Sequence, residues 1–128
     1  MTYQTPPVLF VIFSRPSTTE IVFEEIRKAK PSRLFIAADA ARGDREGEHE
    51  KCLATREIVS RVDWDCEVKT LFREKHLGCG RAVSEAITWF FDHVEEGIIL
   101  EDDTKPAPEF FEFCAKMLAH YRNDTRVM

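Results

Sequence analysis

Val8-Leu9-Phe10-Val11-Ile12-Phe13 sets six apolar residues in a row, without polar alternation and rich in β-branched and aromatic side chains. A run of that kind is a strand covered on both faces, as in a parallel sheet lying between layers of helices. Ahead of it, residues 1 to 7 are polar and end in Pro6-Pro7, which predicts an extended leader on the surface. Behind it the strand stops at Ser14-Arg15-Pro16-Ser17. Ser17 or Thr18 is positioned to cap a helix whose apolar residues Ile21, Val22, Ile26 and Ala29 recur at helical spacing, with Glu20, Glu24 and Glu25 early and Arg27, Lys28 and Lys30 late. Pro31-Ser32 closes that helix. Leu34-Phe35-Ile36-Ala37-Ala38 then repeats the continuous apolar pattern and halts at Asp39. Strand, helix and strand make a β-α-β unit with a right-handed crossover. In such sheets the ligand crevice lies outside the carboxyl ends of the strands, where Ser14, Arg15 and Asp39 arrive.

Further along, Ala40 to Lys51 is rich in charge and glycine and reads as a mobile loop grading into a helix around Cys52 to Val62. Asp63-Trp64-Asp65 turns the chain into Cys66 to Phe72, a partly alternating strand that belongs near a sheet edge. A basic, glycine-bearing loop, Arg73 to Arg81, opens a helix with Ala82, Val83, Ala86, Ile87, Phe90 and Phe91 on its apolar face and Trp89 at its border. A fourth, buried strand begins at Ile98. The last helix, from Pro108 to His120, carries Phe110, Phe111, Phe113, Met117 and Leu118 as a broad stripe, and Arg126-Val127-Met128 looks like the start of another strand. The pattern reads as a fold interrupted part-way.

The fourth strand runs directly into chemistry. Gly97-Ile98-Ile99-Leu100-Glu101-Asp102-Asp103-Thr104-Lys105-Pro106 drives a core strand into three consecutive carboxylates. Adjacent carboxylates repel, so crowding them there raises the energy unless a cation or hydrogen-bond donors offset it. Mg²⁺ and Mn²⁺ prefer oxygen ligands, and Mg²⁺ is often held by one or two carboxylates plus substrate phosphates. The plainer reading is that the acids cap the helix beginning near Pro108. The Arg73 to Arg81 loop complements them. Gly78 and Gly80 permit close backbone approach, the helix start supplies oriented N–H groups, and Arg73, Lys75, His76 and Arg81 add positive charge, which together suit a diphosphate. A solvated connection would look similar. Arg15 can bond or stack on a nucleobase or phosphate, and Asp39 can accept from the imide N–H of uracil; an exposed turn residue and a strand-end cap are their plain counterparts.

Bulk properties limit the alternatives. The 128 residues amount to one domain, 44% hydrophobic and 32% charged, in the ordinary soluble range. A net charge of −5 argues against nucleic acid or an anionic membrane as the main partner. No apolar run is long enough for a transmembrane segment and no signal peptide is visible, so the expected location is cytoplasmic. Cys52, Cys66, Cys79 and Cys114 form no C-x-x-C pair, which points to free structural thiols rather than zinc or redox chemistry. G-x-S-x-G, phosphate-loop and G-x-G-x-x-G motifs are absent.

Taken together, Phe13-Ser14-Arg15-Pro16 after the first strand, Asp39 after the second, the Leu77-Gly78 loop, and Ile99-Leu100-Glu101-Asp102-Asp103 followed by Pro106-Ala107-Pro108-Glu109-Phe110-Phe111 resemble the nucleotide-sugar half of a GT-A glycosyltransferase. The acidic segment is most similar to the Glu-Asp-Asp form of the D-x-D motif in the N-acetylglucosaminyltransferase I group, and bacterial family 2-like relatives look similar too. The resemblance implies an α/β, Rossmann-like three-layer sandwich with a mostly parallel sheet, residues 1–128 forming its nucleotide-sugar-binding N-terminal part. It implies that Asp103 binds Mn²⁺ or Mg²⁺ and through it the donor diphosphate, and that Asp102 and Glu101 contact ribose or donor sugar. Arg15, beside Ser14, and Asp39 would hold the base, with Arg81 and the Gly78 to Gly80 backbone near the sugar or phosphates. The partners implied are a UDP-sugar or similar nucleotide-diphospho-sugar and a sugar or glycan acceptor. The family's catalytic base lies in a C-terminal half that these residues lack, so the fragment is expected to bind donor weakly without turning it over. Two rivals remain open. A sugar-1-phosphate nucleotidyltransferase would carry a glycine-rich first loop, which Ser14-Arg15-Pro16-Ser17 is not; a non-catalytic α/β interaction domain would use Glu101 to Asp103 only as caps.

Overall fold

The computed structural model describes residues 4–121. Four strands, β1 (Val8–Ile12), β2 (Arg33–Ala38), β3 (Glu67–Phe72) and β4 (Ile98–Glu101), alternate with four helices, α1 (Pro16–Ala29), α2 (Glu48–Ile58), α3 (Cys79–Phe91) and α4 (Pro108–Tyr121). The sheet has the order β3-β2-β1-β4 and every pairing is parallel. Val8 lies opposite both Leu34 and Ile98, so the three apolar strands run in register. Successive side chains face opposite sides of a strand. Val8, Phe10 and Ile12 pack with Val22, Phe23 and Ile26 of α1, Ile58 of α2 and Phe111 of α4, while Leu9, Phe35 and Ala37 pack with Ala86 and Phe90 of α3. The result is three layers with the sheet in the middle. No helix among the described residues is long and apolar enough to cross a membrane.

β3 is an edge strand, as its alternation predicts. β4 is the opposite edge, and there the expectation of a fully buried strand fails: Ile98 and Leu100 are buried, but Ile99 is 38% exposed. Among the described residues β4 has a strand neighbour on one side only and is incompletely covered on its α3 face.

Several local readings need correction. α1 is capped by neither Ser17 nor Thr18; its N-cap is Arg15, and Pro16 takes the first helical position, where a missing N–H costs nothing. The Thr18 hydroxyl donates to the Arg15 carbonyl at 3.3 Å instead of accepting from the helix. The buried arc of α1 runs through Thr19, Val22, Phe23, Ile26 and Ala29, leaving Ile21 half-exposed. α2 begins at Glu48, four residues before Cys52, because Gly47 adopts φ 79° and turns the chain into the helix. It ends at Ile58, before Val62, where the Ser60 and Arg61 amides bond three residues back to Glu57 and Ile58 and tighten the last turn. On α3 Phe91 is exposed, and on α4 Phe113 is 60% exposed while Cys114 packs on the core in its place.

The N-terminal segment is not a surface leader from Thr5 onward. Thr5 is buried with its hydroxyl donating to the Ala29 carbonyl at 2.7 Å, and the Pro7 carbonyl accepts from the Ile98 amide at 2.8 Å. Gly97 makes that last contact possible, since a Cβ there would lie 2.8 Å from the Pro7 oxygen and collide with the Phe90 ring. The strand expected at Arg126-Val127-Met128 lies outside the described residues.

Candidate functional site

The carboxyl ends of β1, β2 and β4 open into a cavity of about 280 Å³. Its floor is strand backbone and small side chains, Ala37 and Ala38 among them. One wall is acidic, formed by Glu101, Asp102 and Asp103; the other is formed by Arg42, Arg73 and His76, with Cys79, Ala82 and Val83 of α3 completing the rim. Of the residues singled out in the sequence, Arg15, Asp39, Arg73, His76, Glu101, Asp102 and Asp103 line this cavity. Ser14, Gly78, Gly80 and Arg81 do not; Gly80 lines a shallow groove between α3 and the β4 edge instead.

Asp39 is the most densely bonded side chain in the region. Its Oδ1 accepts from the amides of Ala40 at 2.8 Å and Leu77 at 2.9 Å, and its Oδ2 accepts from the Gly78 amide at 3.0 Å and lies 3.2 Å from His76 Nδ1. The residue is 8% exposed. His76 Nδ1 is also 2.8 Å from the Ala40 carbonyl. Both of its neighbours are acceptors, so Nδ1 carries a proton, and in the neutral ring Nε2 is left as an acceptor. Gly78 takes φ 93° as it caps α3, which frees its amide to turn toward Asp39.

Arg56 of α2 works beside this carboxylate. One of its terminal nitrogens donates to the carbonyls of Asp39, at 3.1 Å, and Arg73, at 3.0 Å, and its guanidinium lies 4.9 Å from the Phe72 ring. Arg42 is held by Glu48, whose carboxylate accepts from the Arg42 amide at 2.8 Å and from its side chain at 3.0 and 2.6 Å. Those bonds push the Glu48 pKa down to about 2. Arg42 also covers Phe13, whose other neighbour is the His76 ring at 5.7 Å. Arg73 and Arg81 share Glu85 of α3, at 3.0 and 2.7 Å.

On the acidic wall compensation is thin. Asp102 Oδ2 accepts from the Phe13 amide at 3.1 Å, tying the ends of β1 and β4 together. Burial nonetheless raises the Asp102 pKa; the Phe13 amide opposes the rise, and the neighbouring Asp103 charge reinforces it. Asp103 has Arg15 at 3.8 Å, both side chains substantially exposed. The helix α4 starts at Pro108, five residues beyond Asp103, so none of the three acids is its N-cap.

Among the described residues no three His, Cys, Asp or Glu side chains gather as a metal cluster. The exposed carboxylate oxygens of Asp103, and those of Asp102 beside it with a single amide partner, are oxygen donors of the kind a hard divalent ion takes when a phosphate supplies the remaining ligands.

Arg42, Arg56 and Cys79 carried no signal of a role here. Arg42 and Arg56 reach the site only through tertiary contacts from the α2 region, a placement that no local pattern encodes. His76 was visible as part of a basic loop, but its bond to the Ala40 carbonyl was not. Neither models of known protein families nor curated protein sequences give a match to this chain.

Proposed function

We propose that this chain is the donor-binding part of a metal-dependent glycosyltransferase acting in the cytoplasm, holding a nucleotide-diphospho-sugar, with UDP-sugars as first candidates, for transfer to a hydroxyl of a sugar or glycan. The observation that carries this reading is the convergence of Arg15 and the Glu101-Asp102-Asp103 wall on one cavity at the carboxyl ends of parallel strands. Asp103 would hold Mn²⁺ or Mg²⁺ together with the donor diphosphate. When bound, the ion neutralises negative charge developing on the departing nucleoside diphosphate. Arg15 supplies donors to a phosphate or a flat face to the base. Glu101 is placed for ribose or sugar hydroxyls, and Asp102, by holding the Phe13 amide, fixes the end of β1 against the end of β4. The wall bearing Arg73 and His76 faces the same space and favours an anionic ligand.

Calorimetric titration of UDP and GDP, with and without Mn²⁺, tests the reading on the wild type and on Asp103→Ala. Metal-dependent binding of one nucleotide, weakened at least tenfold by the substitution, is the expected result. Absence of binding by folded protein, or binding indifferent to both metal and Asp103, rejects it.

A further inference from the structure

We infer that Asp39 and Arg56 are positioning residues that together pre-form the wall of the cavity built by residues 73 to 78 in the absence of ligand. An ionised carboxylate has about four acceptor sites. Three of those of Asp39 are taken by the amides of Ala40, Leu77 and Gly78, all contributed by the protein. Leu77 and Gly78 are thereby tied to the end of β2 before any ligand arrives.

Arg56 complements this from the other side. Asp39 gathers N–H groups from the loop after β3; Arg56 gathers the carbonyls at the two strand ends from which that loop departs, those of Asp39 and Arg73. The Arg73 amide donates to the Ala38 carbonyl at 2.9 Å, carrying the β2 to β3 ladder to the same point. One anion and one cation thus pin both polarities of backbone group at a place where regular pairing ends. His76 Nδ1, 2.8 Å from the Ala40 carbonyl, fastens the same loop to the segment that follows β2.

The effect on ligands rests on the donor-binding reading, whereas the effect on the loop does not, and the two are measured separately. In ligand-free protein, amide hydrogen exchange followed by NMR on Asp39→Asn should accelerate at Leu77 and Gly78 on the order of tenfold to a hundredfold, the loss expected for hydrogen bonds to a charged acceptor, while Phe10 in β1 stays unchanged. Arg56→Met, which keeps the apolar stem, should loosen the same two amides and serves if Asp39→Asn does not fold. Unchanged exchange at Leu77 and Gly78 in a folded variant of either kind overturns the inference. With nucleotide, Arg56→Met should weaken UDP and CDP by the same factor, since the wall serves both; unchanged affinity beside accelerated exchange would show that the ligand does not use the wall and would overturn its role in binding. Failure of the wild type to bind any nucleotide rejects the donor-binding reading and leaves the exchange result standing.

Discussion

The two walls of the cavity hold the same functional group in opposite conditions. Asp39 is buried and surrounded by protein donors on both oxygens. Asp102, less deeply placed, has one amide from Phe13, and Asp103 has the hydroxyl of its neighbour Thr104 at 3.3 Å and one guanidinium at 3.8 Å, both exposed. A carboxylate satisfied by the fold is committed to the fold, because each donor withdrawn from it must find another acceptor. Carboxylates left short of partners, and crowded by their own kind, retain capacity for something from outside. The contrast therefore separates a side whose carboxylate is spent on shaping the site from a side whose carboxylates are open to a ligand.

Asp39→Ala is the most damaging way to probe that contrast. It strands the amides of Ala40, Leu77 and Gly78, and should lower the unfolding free energy by about 3 kcal/mol. Urea unfolding measures this directly. A loss below ~1 kcal/mol would show that water or the loop itself replaces the carboxylate, and the two walls would then differ less than their geometry suggests.

The distinction was only half legible in the sequence. Val8 to Phe13, Leu34 to Ala38 and the alternation of β3 announced the parallel sheet and its edge, because burial on two faces leaves a composition that survives without tertiary knowledge. Strand ends then located the cavity, so Arg15, Asp39 and Glu101 to Asp103 could be singled out. What strand ends do not encode is occupancy. Asp39 and Asp103 look alike as acids closing a strand; they differ because a glycine at 78 turns its amide inward and a loop 38 residues downstream folds back onto the former. The same blindness explains Ile21 and Phe113, apolar residues at helical spacing that lie on the outward side of helices whose buried arcs were set by neighbours.

Glu48 extends the comparison to a carboxylate satisfied chiefly by a guanidinium, with one amide beside it. Its pKa near 2 lies below the ordinary 4.5, so the folded protein binds that proton more weakly than the unfolded chain does. The stabilisation from Glu48 is then complete above about pH 4.5 and is lost as pH falls toward 2. Glu48→Gln should be less stable than wild type at neutral pH, with the gap closing through that interval in thermal melts recorded from pH 6 to pH 2. A gap that stays constant would assign the effect of the substitution to geometry instead of charge.

Asp102 should show the smallest effect and the opposite sign. Burial raises its pKa, so the folded protein binds this proton more tightly than the unfolded chain, and ionisation costs stability as pH rises through the interval between the two values. Above the folded value the whole cost is present; below the unfolded value it is gone. Asp102→Asn removes the charge yet keeps an oxygen for the Phe13 amide, which Asp102 now accepts from at 3.1 Å. The variant should therefore melt about 2–4 °C higher than wild type at neutral pH, and the difference should vanish in acid. A protein keeps such a cost where the charge has a use. Asp102→Asn should accordingly weaken Mn²⁺-dependent nucleotide binding while it raises the melting temperature, a pairing that removal of a merely structural acid does not produce. If the variant is instead destabilised at neutral pH, the bond from the Phe13 amide outweighs burial of the charge, and Asp102 belongs with Asp39 on the side that shapes the site.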